Sequence, residues 1–244
     1  MATRKKIKGA VIMLFGWFYF DWTVLIVLPA LIFTLWAQIA VSSSFNKFSR
    51  IKTENGLTGA EAARRILDKN GLSDVRIERV SGSMTDHFDP RTKVIRLSET
   101  VHDVSSVAAV GVAAHEAGHA IQYANGYFPI KIRNSIIPVT RIGSYLSIPL
   151  FIIGLILSND AFLLAGILLY SCITLFQLVT LPVEFNASSR ALNALRERGG
   201  MRGDELDGAA KVLRAAAMTY VAALATSLLT LLRLLFLANR GDRR

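Results

Sequence analysis

Residues 143–183 read GSYLSIPLFIIGLILSNDAFLLAGILLYSCITLFQLVTLPV. Apolar character runs from about 143 to 157 and again from 161 to 183, with only Ser158, Asn159 and Asp160 between the two runs. An α-helix rises ~1.5 Å per residue and the hydrocarbon of a bilayer is ~30 Å thick, so the run 161–183 is long enough to cross and the run 143–157 pairs with it. Three polar residues make only a turn, which predicts a tight helical hairpin with its polar tip at the far membrane face. Upstream, residues 23–41 (TVLIVLPALIFTLWAQIAV) carry no charge and predict another span. Downstream, residues 216–238 predict a fourth, in which Arg233 lies close enough to the end to snorkel. Residues 9–20 are also apolar but too short to cross. Asp21 parts them from the first span, and Trp17, Tyr19 and Trp22 suit an interfacial belt. Basic residues followed by an apolar run are also how a signal peptide begins. Here the apolar character resumes for a full span, which predicts an uncleaved anchor.

Composition agrees with a membrane protein. Of 244 residues, 52% are hydrophobic and 19% charged. Mean hydropathy is +0.40. Soluble domains carry about one quarter charged residues. The single cysteine, Cys172, excludes an internal disulfide framework and any multi-cysteine metal site. Net charge is +10, but the two polar stretches are nearly balanced. Residues 42–134 hold 13 basic and 10 acidic residues, and 184–215 hold 6 and 5. The excess lies beside apolar segments, at Arg4, Lys5, Lys6 and Lys8, at Lys47, Arg50 and Lys52, and at Arg240, Arg243 and Arg244. That placement fits anionic lipid headgroups and gives no basic face for nucleic acid.

The polar stretches read as folded. Thr58-Gly-Ala-Glu61 is a capping box opening the amphipathic helix EAARRILDKN, which Asn70-Gly71 ends. Val75–Val80 and Lys93–Leu97 alternate as half-buried strands around the turn signal Asp89-Pro90-Arg91-Thr92. Ser105 or Ser106 caps a further helix that runs to about Ala124, before Asn125-Gly126. The order predicted is helix, two or three strands, helix. The fold class is therefore mainly α and multi-pass, with about four membrane helices and a small inserted α+β subdomain. Its segments are 1–41 with the first span, 42–134 the α+β subdomain, 135–183 the hairpin, 184–215 a helical segment, and 216–244 the last span and basic tail.

Within the capped helix, His115-Glu116-Ala117-Gly118-His119 places two imidazoles four residues apart on one helical face. Both can reach one metal ion at ~2.0–2.1 Å. A glutamate following the first ligand is placed to act as general base on water that zinc acidifies toward a pKa of about 7. From a composition of four His and eight Glu, chance yields this spacing in roughly 0.2% of such chains. The helix around it, VAAVGVAA before and AI after, is apolar on all sides, so the three polar side chains need partners. A catalytic zinc takes three protein ligands and keeps a fourth position open. Candidates for the third are His87, His102 and the acids, those after the motif being Asp160, Glu184, Glu197, Asp204, Glu205, Asp207 and Asp242. Glu184 stands out. It ends the third span on the face to which the hairpin returns the chain, and it opens an expected helix, Glu184–Arg196.

The order H-E-x-x-H, membrane hairpin, Glu-x-x-Ala resembles the membrane gluzincins of the HtpX and CAAX prenyl protease group. The chain is more similar still to the YugP-type "putative neutral zinc metallopeptidases" (the zinc peptidase 2 family). FDWT at 20–23, GLTGAE at 56–61, DHFDPR at 86–91, VAAVGVAAHEAGHAIQ at 107–122, LVTLPVEFNAS at 178–188 and TYVAA at 219–223 carry the likeness. It covers about residues 20–238. The ATPase module of FtsH, which shares H-E-A-G-H, is missing, and neither 143–183 nor 216–238 holds the Asp-Gly pair that site-2 proteases carry on a later span.

The resemblance implies one zinc per chain, bound by His115, His119 and Glu184, with Glu116 as base. The HtpX group has Asp four residues after its glutamate ligand, where this chain has Ser188. That supporting role then falls to Asn186, Asp86 or Asp89. For the oxyanion stabiliser the candidates are Tyr123, Tyr220, His87 and Arg190. Gluzincins hold substrate along an edge strand, and Lys93–Leu97 is the strand expected to do so. The reading is a membrane zinc endopeptidase acting on membrane-associated polypeptides. The competing readings are a non-enzymatic scaffold or chaperone-like protein with a structural zinc, and a zinc hydrolase of lipids or small amides. The predicted place is the cell membrane. Lys and Arg beside the spans favour a cytoplasmic active site, although the Arg4–Lys8 cluster pulls the other way.

Overall fold

The computed structural model describes residues 22–197, 201 and 203–241. The Arg4–Lys8 cluster, the apolar run 9–20, Trp17, Tyr19, Asp21, Asp242, Arg243 and Arg244 lie outside the described residues. The described chain runs α1 (Val24–Phe48), α2 (Gly59–Lys69), β1 (Arg76–Val80), β2 (His87–Asp89), β3 (Val94–Ser98), α3 (Val107–Ala124), α4 (Phe128–Leu157), α5 (Asp160–Glu197) and α6 (Asp204–Gly241). Four helices, α1, α4, α5 and α6, are long and apolar enough to cross a membrane. The motif helix α3 is not one of them.

The spans exceed their hydropathy signal. α4 begins at Phe128, about fifteen residues before its apolar run, and continues through Pro138 and Pro149. α6 begins at Asp204, well before residue 216. α5 is one helix of 38 residues through Pro182, not a span followed by a separate helix opening at Glu184. Charged turns such as Lys131–Arg133 lower local hydropathy without breaking a helix.

The residues group into two compact units. The first comprises residues up to Thr34, Asn134–Leu178 and from Ala222 onward. It is the more lipid-like unit, with Leu25, Ile32, Tyr145 and Leu164 exposed on its surface. Its small buried cluster is Phe151, Leu163, Leu234 and Leu237. At the α4–α5 hairpin, a Cβ on Gly166 would stand 2.8 Å from the backbone of Phe151, so the helices touch there because that side chain is absent.

The second unit comprises Leu35–Arg133 and Val179–Val221. Its sheet has the order β1-β3-β2. β1 runs parallel to β3, pairing Ile77 with Ile95, and β2 runs antiparallel to it, pairing Phe88 with Ile95. The expected substrate-bearing strand at 93–97 is therefore the centre of the sheet and has no free edge. Helix α2 opens with the capping box, Glu61 N–H donating to Thr58 Oγ1 and Thr58 N–H to the Glu61 carboxylate. One core joins Ile66 and Leu67 of α2, Ile95 and Leu97 of β3, Val110, Ala113 and Ala117 of α3, and Leu195 and Leu213. Alanine dominates the inner face of α3, which lets neighbouring backbones approach closely.

Candidate metal centre

Ser106 caps α3 by accepting from the Ala109 N–H, and Asn125-Gly126 ends it, Gly126 supplying the positive φ of 62°. Four-residue spacing then sets the His115 and His119 rings side by side, centroids 4.7 Å apart and nearly perpendicular. Opposite them stands Glu184, its side chain only 5% exposed. Its Oε2 lies 3.3 Å from His115 Nε2 and 3.5 Å from His119 Nε2. These three side chains form the metal-competent cluster among the described residues, with all ligand atoms within 4.8 Å of one another.

The approach of α3 and α5 depends on Gly118, the unspecified fourth residue of the motif. A Cβ there would meet the Ala187 carbonyl oxygen at 2.6 Å. Gln122, fully buried one turn beyond His119, ties the same helices together. Its Oε1 faces His119 Nδ1 at 3.0 Å, and its Nε2 donates to the Val183 carbonyl at 2.8 Å and to Asn186 Oδ1 at 3.0 Å. Ser188 Oγ stands 3.2 Å from His115 Nδ1. Arg133 Nη1 donates to Glu184 Oε1 at 2.9 Å.

The donor set fits a divalent cation. Gln122 Oε1 is an acceptor, so His119 carries its proton on Nδ1 and turns the Nε2 lone pair toward Glu184. Glu184 Oε2 is buried and has no hydrogen-bond partner among the described residues. Acceptors pointed at one another in a dry place need a cation between them, and two imidazoles with one carboxylate suit zinc. Burial works against a charged His119, but the Glu184 and Glu116 carboxylates and Gln122 outweigh it and raise its pKa.

A cavity of about 350 Å³ opens beside the cluster. His115, Glu116, Glu184, Ser188, Asp86 and Tyr220 supply its polar lining, and Val41, Phe45, Val112, Val212 and Leu213 much of its apolar wall. Tyr220 lines the same cavity as the Glu184 and Glu116 carboxylates. The other oxyanion candidates do not line this cavity. Tyr123 is exposed and edge-on to Phe88, His87 Nδ1 faces the Thr85 carbonyl, and Arg190 donates to Asn186 and lies over the Tyr127 ring. Asp86 accepts from Ser98, and Asp89 from Arg91 and Thr92, so neither backs a histidine. Asn186 reaches His119 only through Gln122. The residues against the two Nδ1 atoms are Gln122 and Ser188. Sequence reasoning missed Gln122 and Arg133. A lone amide in an apolar helix, one turn past the second histidine, was the available signal for Gln122.

The family model described as "Putative neutral zinc metallopeptidase" matches residues 23–239. The chain belongs to this family. It is similar to the "Putative membrane protease YugP" of Bacillus subtilis (strain 168), 46% identical over 221 residues, covering 90% of this chain and 98% of that protein. No solved structure matches. The family's description points to zinc, and His115, His119 and Glu184 form a cluster that could hold such an ion.

Proposed function

We propose that the chain is a membrane-embedded zinc endopeptidase of the gluzincin type, related to the HtpX group, that hydrolyses membrane-associated polypeptides. One observation supports this above others. Three ligand atoms within 4.8 Å of one another gather beside a cavity that His115, Glu184 and Glu116 line. A structural zinc would take a fourth protein ligand. Among the described residues no fourth His, Cys, Asp or Glu joins the cluster, which disfavours the scaffold reading.

His115, His119 and Glu184 would hold the zinc, which supplies Lewis-acid polarisation of the scissile carbonyl and acidification of water. Glu116 takes a proton from the attacking water and delivers it to the departing amine. Gln122 and Ser188 hold the two imidazoles in orientation through their Nδ1 atoms. Tyr220 donates its hydroxyl to the oxygen on which negative charge develops. The apolar walls exclude bulk water around the reacting groups. Residues 42–134 form the catalytic subdomain, 184–215 contribute the third ligand, and the active site faces the cytoplasm.

The test is Glu116→Gln in the detergent-purified chain. Metal content stays at one per chain, while cleavage of an unfolded protein substrate falls at least ~10²-fold. Retained cleavage would remove Glu116 from the mechanism.

A further inference from the structure

Resting on the metal-site reading above, we infer that Arg133 is a positioning residue that reserves one oxygen of Glu184 for the metal. The two carboxylate oxygens have different partners. Oε1 accepts from Arg133 Nη1 at 2.9 Å, whereas Oε2 faces both imidazole Nε2 atoms and has no hydrogen-bond partner among the described residues. A carboxylate free to rotate can present both oxygens to one cation and so fill the position that water needs. With Oε1 engaged, Glu184 offers a single oxygen.

The placement of Arg133 argues against a substrate contact. It is not among the residues that line the cavity, and it meets Glu184 at Oε1, not at the oxygen that faces the imidazoles. Its side chain is 24% exposed, and its Nε is buried without a hydrogen-bond partner among the described residues. A guanidinium in such surroundings needs an anion, and Glu184 provides it. Arg133 also gives a purpose to the polar first turns of α4, which precede the apolar run of that helix.

The experiment uses the full chain in detergent with cobalt(II) alone as probe, for the native protein, Arg133→Gln and Arg133→Lys. It reads affinity by competition and the visible absorption of the cobalt-saturated protein, which weakens as coordination number rises. The native chain binds one cobalt. Arg133→Gln binds ~10–100-fold more weakly and absorbs less when saturated, because the freed oxygen joins the metal. Arg133→Lys falls between the two in both readouts. A role confined to stability would leave the saturated spectrum unchanged. Native affinity and spectrum in Arg133→Gln would overturn the inference and leave the metal site standing. If Arg133→Gln does not fold, an Arg133→Lys chain matching the native in both readouts overturns it equally. A native chain that takes no cobalt overturns both the site and the clamp.

Discussion

Glu184 is the residue on which the proposed site turns, because two histidines four apart on a helix supply only two ligands. Glu184→Ala is expected to weaken zinc binding at least ~100-fold, while Glu197→Ala, at the end of the same helix, leaves it unchanged. Equilibrium dialysis of both variants checks this. Equal affinities would move the third ligand elsewhere. Acid acts on the same site through His119, whose pKa the Glu184 and Glu116 carboxylates raise against burial. A raised pKa means that the proton persists to higher pH, and the metal must displace it. Zinc affinity should therefore begin to fall above the ordinary imidazole value of about 6.5 as pH is lowered. A titration of affinity from about pH 8 to pH 6 that stays flat would contradict this. His115, Glu116 and His119 were legible because their spacing states their geometry. Glu184 is legible only from chain order, and it lies inside a continuous helix where the sequence predicts a helix start. Arg133 was not legible, since an arginine beside an apolar run looks the same whether it meets a headgroup or a buried carboxylate. Ser188 has no carboxylate, yet its hydroxyl stands at His115 Nδ1.

Among the elements, α3 and α5 must come unusually close for the histidines and Glu184 to share a cation. Gly118 permits it. Gly118→Ala would place a methyl carbon 2.6 Å from the Ala187 carbonyl oxygen, a backbone atom that cannot rotate away. Expected costs are ~1–3 kcal/mol of stability from overpacking and a measurable loss of zinc affinity, since the helices must part across the site. Thermal unfolding and metal titration of the variant check both, and native values in each would show that the helices have slack. The caps of α2 and α3 and the strands were readable from local chemistry, since capping boxes, Asn-Gly stops and alternation act within a few residues. Strand order was not. Which strand becomes central depends on the pairing of β2 with β3 across the turn at Asp89, where Asp89 accepts from Arg91 N–H and Thr92 Oγ1. Span lengths were underestimated for a related reason. Hydropathy finds the portion of a helix that lipid requires, whereas turns rich in Lys and Arg stay helical through backbone bonding and packing.

For the whole molecule, four apolar helices and a folded polar unit define a membrane protein whose orientation is a matter of charge. With the active site in the cytoplasm, a cysteine introduced at exposed Ser81, in a chain carrying Cys172→Ser, should react with a membrane-impermeant maleimide only after cells are permeabilised. Labelling of intact cells would place the catalytic unit outside and give the Arg4–Lys8 cluster the deciding vote.

The cavity beside the cluster also fixes how much water the centre keeps at hand. At ~30 Å³ per molecule in the liquid, a space of about 350 Å³ holds on the order of ten waters. In the proposed hydrolysis each turnover would consume one of them. A bulky group entering this room must expel most of that store and still leave the last molecule beside Glu116. Occupancy of the pocket and supply of the nucleophile are thus opposed, and a residue that fills the space completely would bind well and be cut slowly.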